Sequence, residues 1–121
     1  ILQSADLTGA NLVGANLQDA ILQDTNLQDT NLWRASLHGA NLWGANLQNA
    51  DLEGTGIVSF QGSRHFAFYV PWQDYIKIGC VGMHIQQWLQ TYESVGIKQR
   101  YTSKQIAEYL GFVQMCAEVG V

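Results

Sequence analysis

An apolar residue stands at every fifth position from Leu2 to Leu52, and Ile57 takes the next slot. Two places before it is a small residue, Ala or Thr, and Asn or Asp usually lies between, as in ADLTG, ANLVG, TNLQD and TNLWR. A period of five matches neither the 3.6-residue helix nor the two-residue strand, so the leucines cannot share a face of either. The chain must turn once per unit. If each leucine and the small residue before it point inward, four corners close a coil of twenty residues. Stacked coils then pair like parallel strands about 4.8 Å apart.

Columns of residues twenty apart define the outer faces. One face carries Ile1, Ile21 and Asn41 beside Gln3, Gln23 and Trp43, and the opposite face carries Asn11, Asn31 and Asp51 beside Val13, Trp33 and Glu53. Asn and Asp before the leucine are expected to bond neighbouring backbone. Ile1 and Ile21 break that rule. Exposed Ile and Trp on a rigid face point to contact with a partner, or to the C-terminal segment folding back over the coil.

Beyond Ser59 the period stops. His65 to Val70 and Tyr75 to Cys80 read as two strands of a hairpin around the turn Pro71 to Asp74, with Gly79 and Gly82 as punctuation. Ile85, Trp88, Leu89, Tyr92 and Val95 fall at helical spacing up to Gly96. Thr102 and Gln105 form a capping-box pattern ahead of a second helix with Ile106, Tyr109, Leu110, Val113 and Ala117 inward. The expected organisation is a coil over 1–59 and a ββαα module over 60–121 that caps it, because a segment of this size buries little core alone and a coil end needs cover. Nothing equivalent precedes Ile1, so further coils, a cap or another chain is expected at that end.

The net charge of −4 hides a split. Six carboxylates against Arg34 leave residues 1–59 at −5, whereas five cations against four carboxylates leave residues 60–121 at +1. Neither half shows a basic stripe for nucleic acid, and no apolar run approaches the length of a membrane span. Two cysteines, Cys80 and Cys116, make no disulfide framework and read as free, buried thiols in a reducing compartment.

The A(D/N)Lxx units of residues 2–59 resemble the pentapeptide-repeat family, with eleven leucines in unbroken register. The resemblance implies a right-handed quadrilateral β-helix of about three coils, all-β, ahead of the small α+β module. The stretch with Ile76-Lys77-Ile78-Gly79-Cys80, His84, Trp88 and Tyr101-Thr102 looks like a module of uncharacterised phage and prophage proteins. That likeness implies a viral source, with the virion or the bacterial cytoplasm as location.

Candidate chemistry is sparse. Cys80, His84, His65 and Cys116 are potential zinc ligands, but their spacing is no recognised ligand pattern, so no metal and no cofactor is expected. Ser63, His65 and Asp74 lack a strained nucleophile motif. The expected function is therefore non-enzymatic: a protein-interaction or structural module, such as a capsid or tail component. Ile21, Trp33, Arg34 and Trp43 are the candidate binding residues, because aromatics and Arg dominate contact energies. The expected partner is a protein, or another copy, meeting a coil face or the uncovered N-terminal end. The alternative is a DNA-mimicking inhibitor of DNA gyrase, as in some members of the family. About three coils span only about 14 Å, roughly four base-pair steps, and the acidic band holds only Asp19, Asp24 and Asp29.

Overall fold

A computed structural model describes residues 2–119. In the first half each coil position pairs in parallel with the one twenty residues on, from Asp6 with Asn26 to Asn31 with Asp51. The N–H of Leu7 donates to the carbonyl of Asn26 at 2.8 Å, and the N–H of Asn26 donates to that of Ala5 at 2.9 Å. Within each unit a tight turn closes on the leucine carbonyl, as in Ala35 N–H to Leu32 at 2.8 Å. The residue two after the leucine sits at positive φ, for example Asp19 at 60° and Gly44 at 75°. That region is open to Gly and tolerated by Asn and Asp, which accounts for the residue types found at the corners.

Leu22, Leu27, Leu32, Leu37, Leu42 and Leu47 fill the interior with Ala35, Ala40 and Ala45. Where Thr replaces Ala, its hydroxyl is satisfied by a leucine carbonyl: Thr25 donates to Leu2 at 2.8 Å and Thr30 to Leu27 at 2.7 Å. Outside, Asn Oδ1 accepts the N–H two residues on, as Asn16 does from Gln18 at 3.1 Å. Leu2, Leu7, Leu12 and Leu17 are only half-buried, on the first described turn. Ile1, which heads the Ile21 column, lies outside the described residues.

The second half differs from the expected ββαα order. Four strands, β1 (Val58–Gln61), β2 (Phe66–Val70), β3 (Tyr75–Ile78) and β4 (Val81–His84), form one antiparallel meander. It precedes α1 (Ile85–Lys98) and α2 (Ser103–Val119). The two additional strands carry a weak pattern of their own. β1 continues from the last repeat, and β4 contains Gly82, which stands opposite Lys77 in the ladder and is not a break. A Cβ at Gly82 would lie 2.0 Å from the Tyr75 hydroxyl, whose ring crosses that strand. Gly96 likewise does not end α1. It is buried, and a Cβ there would lie 2.5 Å from Ile106 Cγ1, so it allows the two helices to approach closely. The Thr102 cap forms as expected: Gln105 N–H donates to Thr102 Oγ1 at 3.1 Å and Thr102 N–H to Gln105 Oε1 at 2.9 Å.

The sheet lies between two apolar masses. Phe68, Val70 and Tyr75 join the coil leucines in one core, while Ala67, Tyr69, Ile76 and Ile78 pack with Ile85, Trp88, Tyr109, Phe112 and Val113 in the other. Among the described residues no helix is long and apolar enough to cross a membrane.

The expectation of two buried thiols requires correction. Cys116 is buried in the helix–sheet core, whereas Cys80 is exposed because it occupies the β3–β4 turn. Burial pushes the Cys116 thiol up to about 12. Iodoacetamide at pH 8 is therefore expected to modify Cys80 alone in the native protein and both cysteines in denaturant, as read by mass spectrometry of the peptides. Modification of Cys116 at the rate of Cys80 in the native protein would contradict this packing.

Candidate binding face

Trp33 and Arg34 follow Leu32 at one corner of the coil. The Trp33 N–H donates to Asn31 Oδ1 at 3.1 Å, its carbonyl accepts from Gly14 at 2.9 Å, and the Arg34 N–H donates to Glu53 at 2.8 Å. The backbone is thus held by the turns on both sides. The Arg34 guanidinium lies over the Trp33 ring, 4.6 Å from its centroid, a cation–π contact. A Cβ added at Gly54 would come within 3.0 Å of Arg34 Cγ, so the Arg stem runs across Gly54 of the next turn. Val13, 45% exposed, and Trp33, 37% exposed, stand in neighbouring turns of the same column.

Arg34 is unusual among the corners. At φ 56° it holds the left-handed conformation that Gly, Asp, Asn or Ser takes at the other corners, at a cost of about 1 to 2 kcal/mol.

The four candidate residues do not form one site. Ile21 lies half a turn away from Trp33 and is 39% exposed, with its backbone bridged to Asn41. Trp43 is half-buried by the C-terminal half of the same chain, with its ring 4.2 Å from that of Tyr75 and 5.1 Å from that of His84. Its aromatic surface is used to join the two halves.

That junction is built from side chains the repeat pattern does not reveal. Inside the coil a leucine N–H reaches the carbonyl nineteen residues on, as from Leu22 to Asn41. For Leu42 that partner would be Gln61, which has left for β1. Gln73 Oε1 accepts the Leu42 N–H instead, at 2.8 Å. The Tyr75 hydroxyl accepts the Gly44 N–H at 2.9 Å. Trp72 Nε1 donates to the Ala40 carbonyl at 2.8 Å, and Lys77 Nζ donates to Ala45 at 2.9 Å and to Gly44 at 3.3 Å. These side chains satisfy a coil edge that would otherwise present unpaired backbone. Burial raises the Tyr75 hydroxyl above its ordinary value and lowers the Lys77 ammonium below its own.

The catalytic and metal candidates are dispersed. Ser63 Oγ donates to Glu108 at 2.9 Å, His65 Nδ1 faces the Tyr101 hydroxyl, and His84 Nδ1 faces the Asp74 carbonyl at 2.9 Å. The Ser63 hydroxyl and the His65 ring are thus engaged with Glu108 and Tyr101 and not with each other. Among the described residues no three His, Cys, Asp or Glu side chains come together to hold a metal.

Residues 1–32 and 22–54 match the family model for Pentapeptide repeats (8 copies). The matched residues are those of the coil. Among solved structures the chain is similar to a Pentapeptide Repeat Protein (Rfr23) from the cyanobacterium Cyanothece 51142, at 50% identity and a TM-score of 0.44. The match covers 45% of this chain and 37% of that one, well under half the length of the solved relative. No curated protein matches. The parallel pairing described above is the β-helix that such repeats imply.

Proposed function

We propose that this protein is a non-enzymatic interaction module whose pentapeptide-repeat coil presents Trp33 and Arg34, flanked by Val13, to a protein partner. The carrying observation is the strained, stacked Arg34–Trp33 pair held between hydrogen-bonded turns. A contact surface ordered in advance loses little entropy on binding. In this reading the scaffold is a right-handed quadrilateral coil of about three turns. Its two units are residues 1–59 and 60–121, the second capping the first. Four five-residue units per pairing step of twenty support the quadrilateral form. Ile21 adds a smaller contact on the opposite face, and self-association at the half-buried first turn is the other mode of assembly.

A photo-crosslinking residue at position 13 is expected to capture one defined protein in the native host, and the same residue at Gln48, on another face, is expected to capture none. Arg34→Asn should raise stability by up to about 1 kcal/mol by relieving the corner, while abolishing that capture. Equal crosslinking from positions 13 and 48 would refute the assignment. The setting we propose is a phage-encoded virion component, supported by the likeness of the 76–102 stretch to phage modules, with the bacterial cytoplasm as the other location. Its presence in purified virions is the check. Gyrase inhibition ranks second on the strength of the exposed Asp19, Asp24 and Asp29, and a supercoiling assay tests it.

A further inference from the structure

An open cleft of about 370 Å³ lies between the last turn of the coil and strands β2 and β3. This is within the range of small-molecule sites, about 300 to 1,000 Å³. Lys77, Arg64 and His65 line it on the sheet side, Asn46 and Gln48 on the coil side, and Phe66 and Phe68 supply apolar surface. No carboxylate lines it, although the whole chain carries a net charge of −4.

Both cations are held by neutral groups, and the carboxylate that acts on Lys77, Asp24, lies outside the cleft lining. The Lys77 ammonium donates to the carbonyls of Gly44 and Ala45, which leaves one of its three hydrogens for another acceptor. Arg64 is held by Nη1 donating to the Arg100 carbonyl at 2.9 Å and by its guanidinium lying 5.0 Å from the centre of the Tyr101 ring. The rest of its donor fork is available. A half-buried ammonium and a positioned guanidinium in one cleft, with amides opposite and no carboxylate in the lining, make a donor-rich site.

We propose that this cleft binds a small organic oxyanion, a carboxylate or a phosphate ester, through Lys77 and Arg64, with the organic part against Phe66 and Phe68. The anion would add counter-charge inside the cleft, where the lining has none, and it would bridge the coil to the sheet. The site is independent of the Trp33 face.

Cys80 lines the same cleft and is exposed, so its alkylation reports on the local anion concentration. The rate ratio of iodoacetate to iodoacetamide at Cys80 is compared with the same ratio for glutathione, which cancels differences in thiol ionisation. At low ionic strength the protein's ratio is expected to exceed that of glutathione on the order of tenfold, as a cleft of one charge sign concentrates counter-ions. Lys77→Met and Arg64→Gln should each reduce it toward the glutathione value. Succinate and inorganic phosphate, added at constant ionic strength, are tested as competitors. Protection by succinate alone assigns a carboxylate, and protection by phosphate alone assigns a phosphate. A wild-type ratio equal to that of glutathione, or no protection by either anion, overturns the proposal. Because the competition arm uses the unaltered chain, it decides the matter even where Lys77→Met unfolds.

Discussion

Leu32→Ala is expected to lower the unfolding free energy by about 3 to 5 kcal/mol, the upper part of the range for a buried Leu→Ala change. Leu32 is fully buried, and the Leu12 and Leu52 units lie twenty residues to either side of it. The cavity cannot readily close. Leu32 N–H is bonded to Asp51 at 3.0 Å and Ala35 N–H to Leu32 at 2.8 Å, while Asn31 N–H holds Ala10 at 3.0 Å. Collapse of the wall would break this pairing with both neighbouring turns. Leu7→Ala on the first turn removes the same atoms from a half-buried site. Its cost is expected to be less than half as large, since both the burial and the residual cavity are smaller. Denaturant unfolding of the two variants, at unchanged m-value, is the measurement. Equal losses would mean that the interior is not packed around a continuous leucine column.

Tyr75→Ala is the second large loss, about 3 to 5 kcal/mol by analogy with other buried aromatics. Tyr75 is buried in the core shared with the coil, packs its ring 4.2 Å from that of Trp43 in a tilted arrangement and accepts the Gly44 N–H at 2.9 Å. Tyr75→Phe separates these contributions. It keeps the ring and leaves the amide without an acceptor, so about 1 to 2 kcal/mol is expected. Gly82→Val should resemble Tyr75→Ala, because a side chain at 82 occupies the path of the Tyr75 ring. Fluorescence adds a local readout: in Tyr75→Ala the Trp43 emission should shift to the red as water reaches the ring, with Tyr75→Phe largely unchanged. If Tyr75→Phe and Tyr75→Ala lose the same stability, the ring packing does not hold the junction.

The coil was legible because its determinants are local. The leucine period, the small residue before it and the Asx bonds all act within five residues. The corner conformation was legible too, though it is easily passed over: the position two after each leucine carries Gly, Asp, Asn, Ser or Arg and never a β-branched residue. Read for positive φ, that column would have marked Arg34 as a strained corner. The helix cap at Thr102 and most inward helix positions were equally accessible. The strands β1 and β4 were not. Each has four residues with Gly or polar side chains, and its pairing depends on β2 and β3 rather than on its own pattern.

The same contrast separates the candidate residues. Trp33 and Arg34 are neighbours in sequence and meet on one surface, as their spacing suggested. Trp43 has the same repeat context as Trp33, yet it is covered, because Tyr75 and His84 return to it from the sheet. The junction and the cationic cleft depend on Gln73, Tyr75 and Lys77 reaching backbone atoms 31 to 33 residues away. A backbone amide or carbonyl has the same chemistry at every residue, so no side-chain pattern announces which one will be left open.

The sequence by itself thus determined a coil that turns every five residues and pairs every twenty, since periodic burial and turn chemistry leave no regular alternative. Only the tertiary structure decided which face stays open, how the coil ends and where two cations share a cleft without an acid. Those outcomes follow from docking the sheet on one particular edge, and a docking geometry is set by shape and by unpaired backbone groups rather than by any repeat.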